Sequence, residues 1–122
     1  SEAETGLERK GNEVHVKMST IRTHFAPDNI EGIKMGDTVF FHITNLEQDW
    51  DVPHGFSILG LQNSELLIMP GQTRTITWKP TREGVFPFYC TDFCSALHQE
   101  MSGYVRVSGK GSNVELSYNT RR

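Results

Sequence analysis

Hydrophobic and polar positions alternate over short stretches of this chain and nowhere sustain a helical period. In EVHVKMS, Val14, Val16 and Met18 fall on one face and His15 and Lys17 on the other, the pattern of a half-buried strand. KMGDTVFFHIT places a turn at Gly36-Asp37 ahead of a strand from Val39 to Thr44. The same signals predict strands over Gly55–Leu59, Glu65–Ile68, Thr73–Trp78, Val85–Tyr89 and Tyr104–Val107. Pro53, Gly60, Pro70-Gly71, Pro80 and Gly84 punctuate them. No segment keeps a 3.6-residue apolar period over three turns. Short strands about ten residues apart, joined by Gly/Pro turns, predict an all-β sandwich or barrel.

The predicted body spans residues 13–108. Residues 1–12 are polar and are expected to be flexible. The tail GKGSNVELSYNTRR, residues 109–122, reads either as an edge strand at Val114–Tyr118 or as a linker. With 122 residues the chain is long enough for one buried core and too short for two. It begins at Ser1 without a Met, as a mature or excised product would, so the lack of a visible signal peptide says little about compartment. The formal charge of -3, with both signs well represented, does not suit a nucleic-acid binder. The longest apolar run is only a few residues, too short to span a membrane.

The chemistry concentrates in YCTDFCSALHQEM, from Tyr89 to Met101, which holds both cysteines of the chain. Its spacing is C-x3-C-x3-H-x2-M. Two readings of Cys90 and Cys94 compete: a disulfide closing a very small loop, or two thiolates facing one site. His98 and Met101 favour the second, because a disulfide needs neither. Structural zinc takes Cys and His and has no use for a thioether. Thioether beside thiolate and imidazole points to copper. A mononuclear blue site uses one cysteine, whereas two thiolates can bridge two coppers, a pair that asks for two imidazoles. His98 supplies one, and His54, in DWDVPHGF, is the best candidate for the other.

His15 and His42 lie within strand patterns and read as structural or surface residues; His24, in IRTHFAPD, is the runner-up ligand. Met18, Met35 and Met69 sit in no ligand-spaced cluster and read as packing. Trp78, Phe86 and Phe88 read as core. Trp50 stands between Asp49 and Asp51, either as the anchor of a solvated loop or as part of an acidic surface beside His54 that receives a basic cytochrome. No Ser/His/Asp order, paired catalytic carboxylates or HExxH motif argues for a hydrolase.

CTDFCSALHQEM together with DVPHGF resembles the binuclear copper A domain of cytochrome oxidase subunit II and of nitrous-oxide reductase. HGFSILG, MPGQTRTITWKP, GVFPFYC and ALHQEM are most similar to the C-terminal cupredoxin domain of the latter, and the resemblance covers residues 14–108. It implies a cupredoxin-like Greek-key sandwich holding two copper ions. Cys90 and Cys94 would bridge both coppers, His54 and Met101 would complete one, and His98 the other. The backbone carbonyl of Asp92 would also ligate. Subunit II proteins usually carry glutamate at that position and well-known nitrous-oxide reductases an aromatic residue; a carbonyl ligand tolerates the change.

The resemblance further implies one-electron transfer, from a c-type cytochrome or small redox protein to the catalytic copper centre of a nitrous-oxide reductase. That centre's large propeller has no counterpart here, so the domain alone is not expected to reduce nitrous oxide. It also implies a place in the periplasm or on the outer face of the cytoplasmic membrane, where metal would protect the thiols from oxidation. Four alternatives stand: the soluble domain of an oxidase subunit II, a mononuclear blue copper protein, a copper chaperone or store, and a disulfide-bonded sandwich that binds no metal.

Overall fold

The computed structural model describes residues 6–21, 24–48, 54–58, 66–89 and 102–120; for Ile21, His24, His54 and Leu66 it describes the backbone alone. Eleven strands appear among them: β1 (Gly6–Lys10), β2 (Glu13–Ile21), β3 (His24–Ala26), β4 (Asn29–Lys34), β5 (Thr38–Asn45), β6 (His54–Ile58), β7 (Leu66–Ile68), β8 (Thr73–Trp78), β9 (Gly84–Tyr89), β10 (Ser102–Ser108) and β11 (Ser117–Asn119). One sheet runs β1-β2-β5-β8 with β3 added on β2; the other runs β11-β4-β10-β9-β6-β7. Pairing is parallel between β2 and β5 and between β4 and β10, and antiparallel elsewhere. The architecture is the two-sheet, all-β sandwich of cupredoxin-like Greek-key folds.

Alternation in the sequence becomes alternation in burial. Val14, Val16 and Met18 on β2 and Val39, Phe41 and Ile43 on β5 face inward, as do Phe56 and Ile58 on β6, Phe86 and Phe88 on β9, and Val105 and Val107 on β10. Trp78 from β8 completes this core, as its strand parity predicts. Of the methionines read as packing, Met18 is buried and Met35 packs half-buried against the core. Met69 is a correction: it is 40% exposed beside the Pro70-Gly71 turn, where the chain has left the sheet.

Two strands carry no alternation signal. In NIEGIK, Ile30 and Ile33 are both fully buried although three residues apart. Gly32 adopts φ 96°, and the register against β10 shifts between Ile30↔Val105 and Ile33↔Val107. A bulge has taken up the extra residue, so the inward parity changes within the strand. β1 departs from the flexible segment expected over residues 1–12: Gly6–Lys10 pairs along its length with β2. Leu7 packs on the core, and Arg9 reaches across to the other sheet.

That reach is a bidentate ion pair. Arg9 Nη1 and Nη2 each donate to a different Asp37 oxygen at 2.9 Å, and Nη2 also donates to the Gly32 carbonyl at 2.9 Å. The Lys34 amide donates to Asp37 Oδ2 at 2.7 Å. Asp37 is only 5% exposed. The hydrogen bond to Asp37 raises the Arg9 pKa above its ordinary value, against a smaller opposing effect of burial. The cluster joins β1, the β4 bulge and the β4–β5 turn at one end of the sandwich.

His15 and His42 occupy the outer face of the first sheet, where their strand parity puts them. His15 Nδ1 and His42 Nε2 are 2.9 Å apart, with ring planes parallel to within 2°. His42 Nδ1 bonds Thr75 Oγ1 at 2.8 Å, and His15 Nε2 lies 3.6 Å from Glu13 Oε1. Rings that are parallel and linked nitrogen to nitrogen share a hydrogen bond in their plane, which requires one neutral acceptor. Burial, then the charges of His15 and Lys17, lower the His42 pKa from 6.5.

Arg9→Ala leaves the Asp37 carboxylate buried without its counter-charge. It is expected to lower unfolding free energy by roughly 3 kcal/mol, read from urea denaturation at pH 7. Arg9→Lys, lacking the planar fork, should recover only part of the loss. For His42, a folded-state pKa below the unfolded value means that the unfolded chain binds the proton first. The stability this group contributes is therefore complete above pH 6.5 and declines as pH falls from there through its lower folded-state pKa. Urea midpoints between pH 8 and pH 5 should show that decline, and His42→Gln should flatten it.

Candidate metal centre

The run of soft ligands leaves one strand and returns on its neighbour. β9 ends at Tyr89, β10 begins at Ser102, and these two residues are paired. On the other side of Tyr89 lies Ser57 of β6. Because β6 runs antiparallel to β9, moving back from Ser57 to His54 follows the direction in which the chain continues past Tyr89. Three residues of strand carry the His54 backbone about 10 Å beyond the Tyr89 level. There it opens β6, opposite Ile68 of β7. The structure thus brings the His54 backbone and Tyr89 and Ser102, the residues that flank segment 90–101, to one end of the sandwich.

Cys90, Asp92, Cys94, His98 and Met101 lie outside the described residues, as do Asp49, Trp50 and Asp51. The side chains of His54 and His24 lie outside them too. Among the described residues no group of three or more His, Cys, Asp or Glu side chains is arranged to hold a metal ion. His15 and His42 are engaged with each other and with Thr75 on the outer face of the first sheet.

The floor beneath this end is aromatic. Phe56 stands two residues after His54, Phe88 two before Cys90, and Phe25 comes from β3. Their ring centroids are separated by 5.5 Å (Phe25–Phe88 and Phe56–Phe88) and 5.8 Å (Phe25–Phe56). Phe25 meets the other two edge-on, at 77° and 88°. All three are fully buried, and edge-to-face packing holds such rings rigidly. An apolar, close-packed floor excludes water from whatever rests on it.

Sequence reasoning passed over two residues at this end. Gly103 lies two residues after Met101, the last candidate ligand; a Cβ there would collide with the Asp28 carbonyl oxygen and stand 2.6 Å from the Phe88 ring. The close approach is held by the Tyr104 amide donating to that carbonyl at 3.0 Å. Asn45 is the other. It ends the inward series Val39, Phe41, Ile43 and is fully buried. Its Nδ2 donates to the Ile68 carbonyl at 2.9 Å and its Oδ1 accepts the Glu47 amide at 2.8 Å. A polar residue at an inward position was the available signal.

No family model matches the chain. Nitrous-oxide reductase from Stutzerimonas stutzeri is 38% identical over 99 residues, which cover 81% of this chain and 15% of that protein. Cytochrome c oxidase subunit 2 from Thermus thermophilus is 31% identical over 83 residues, 68% of this chain and 57% of that one. The chain therefore spans about a seventh of the length of the nitrous-oxide reductase it matches. Among solved structures, a heme-copper terminal oxidase dimer superposes with a TM-score of 0.70 at 24% identity, over 85% of this chain and 71% of that one. With the two-sheet sandwich in hand, these likenesses identify the chain as a cupredoxin-like domain related to the C-terminal domain of nitrous-oxide reductase and to cytochrome c oxidase subunit II.

Proposed function

We propose that this domain transfers single electrons through a binuclear copper centre built from His54 and segment 90–101. The observation that supports the reading is the register: Ser57 and Ser102 both pair with Tyr89, so the His54 backbone and the two residues that flank the C-x3-C-x3-H-x2-M run lie at one end of the sandwich. The donor set fits copper: two thiolates, two imidazoles and a thioether are the soft and borderline ligands that copper prefers. In this reading Cys90 and Cys94 would hold both coppers, His54 and Met101 would complete one, and His98 and the Asp92 carbonyl the other. Copper, when bound, supplies the one-electron couple. The chain's own residues set the conditions. The Phe25, Phe56 and Phe88 floor keeps water out, and the strands fix the loop ends so that the ligands move little with oxidation state.

The electron donor we propose is a c-type cytochrome or small redox protein, and the acceptor is the catalytic copper centre of a nitrous-oxide reductase, in the periplasm or on the outer face of the cytoplasmic membrane. In this reading the domain by itself does not reduce nitrous oxide. Residues 1–12, 13–108 and 109–122 are proposed as lead segment, copper domain and tail. The likeness to cytochrome c oxidase subunit 2 favours a second reading, in which the acceptor belongs to a terminal oxidase. The donor set serves both.

Electron paramagnetic resonance of the copper-reconstituted domain, with metal quantitation, tests the centre. Two coppers per chain with hyperfine structure from one electron shared over both nuclei are expected, and either Cys90→Ser or Cys94→Ser should abolish that pattern. A single-nucleus pattern, or loss through only one of the cysteines, would indicate a mononuclear site. Copper lost within minutes to a mild chelator would indicate a chaperone or store. Gly103→Ala forces β10 away from Asp28 and Phe88. It is expected to lower stability by about 1–3 kcal/mol and to broaden the copper signal, as seen by urea denaturation and the same spectra.

A further inference from the structure

β7 spans three residues, Leu66–Ile68, and residues 69–72 after it are not strand. A three-residue strand makes few ladder bonds and does not hold its own position. Yet its Ile68 stands opposite His54, so the placement of the His54 backbone depends on what holds β7. Across the gap between the sheets, the Asn45 amide donates from the end of β5 to the Ile68 carbonyl at 2.9 Å. Its Oδ1 accepts the Glu47 amide at 2.8 Å and thereby directs the chain that runs on toward His54. The Asn45 backbone is bound as well, its amide donating to the Gln72 carbonyl at 3.0 Å and its carbonyl accepting the Gly71 amide at 2.8 Å. One fully buried residue thus ties together the end of β5, the start of the 46–53 connection, the Pro70-Gly71 turn and β7.

We propose that Asn45 is the positioning residue for His54, acting through the Ile68 carbonyl and the Glu47 amide; the proposal rests on His54 being a copper ligand. Asn45 touches neither metal nor substrate in this role. It fixes where the histidine's backbone starts, as outer partners of ligating residues do in metal sites generally. An amide suits the task, because it presents a donor to one backbone group and an acceptor to another at once. Asp offers only acceptors when ionised and would face the Ile68 carbonyl with like polarity. Leu offers neither group.

The test compares wild type, Asn45→Asp and Asn45→Leu after copper loading, with Thr20→Val as the packing control. Thr20 is paired with Asn45 in the first sheet and has a buried hydroxyl without a hydrogen-bond partner. Removing that hydroxyl while keeping the shape should be nearly neutral. Both Asn45 variants are expected to lose copper to a competing chelator about ten- to a hundredfold faster than wild type, with altered copper hyperfine couplings, while Thr20→Val matches wild type. Variants of Asn45 that fold and keep the wild-type spectrum and copper-loss rate would overturn the proposal. So would equal effects from Thr20→Val, which would reduce the role to packing. Should neither Asn45 variant fold, amide hydrogen exchange on wild type decides: the Glu47 and Gly71 amides should exchange as slowly as those of β5, and exchange at the rate of free turns would overturn the proposal. Failure of the underlying copper reading is distinct from these outcomes, because it shows in wild type itself as the absence of a two-copper spectrum, and it overturns the positioning role with it.

Discussion

The register of β9 between β6 and β10 is the constraint on which the rest of the sandwich depends. Side chains alternate with a period of two, so a slip of one residue would carry Phe86 and Phe88 out of the core and bring Val85 and Tyr89, both exposed, into it. Burial of two phenylalanines against Phe25, Phe56 and Trp78 makes that slip costly, at about 1.5–3 kcal/mol for each large side chain moved. Once the slip is forbidden, Tyr89 is held opposite Ser102 on one side and Ser57 on the other. Tyr89 and Ser102, which flank segment 90–101, and the start of β6 then have fixed relative positions. Hydrophobic packing in the core thus sets the geometry of the strand ends from which the candidate ligands depart.

Much of this was legible in the sequence because most strands obey one parity from end to end. β5 and β9 alternate cleanly, β2 does so as far as Met18, and the predicted boundaries for β8 coincide with the observed ones. Where parity breaks, the reading fails for a physical reason. β4 hides its inward pair Ile30 and Ile33 behind the Gly32 bulge. β1 hides behind its charge, because Arg9 is stabilised by Asp37, a partner 28 residues away that no local pattern links to it. The tail, read as edge strand or linker, contributes β11 (Ser117–Asn119) on β4, within the later part of its range. The candidate ligands, His54 among them, were legible by type, spacing and resemblance. The pairing that sets Tyr89 between Ser57 and Ser102 was not, because pairing is a long-range property.

The sides of the sandwich are closed by different means, and the difference bears on the candidate centre. On the β1–β11 side, the Tyr118 hydroxyl comes within 3.8 Å of where a Cβ would stand on Gly6. On the β7–β8 side, two side-chain bonds to consecutive carbonyls of the short strand bridge the gap, from Arg74 Nη1 to Leu67 at 3.2 Å and from Asn45 to Ile68 at 2.9 Å. Arg74 is exposed and its bond is long, so water can replace it at little loss. Asn45 is fully buried, and its Nδ2 would lose the Ile68 carbonyl if β7 moved away. A buried amide left unsatisfied costs about 1–3 kcal/mol per group, more than the few ladder bonds of a three-residue strand supply. β7, the strand opposite His54, is therefore held to the sandwich by Asn45 from the opposite sheet as well as by its own short ladder and the burial of Ile68.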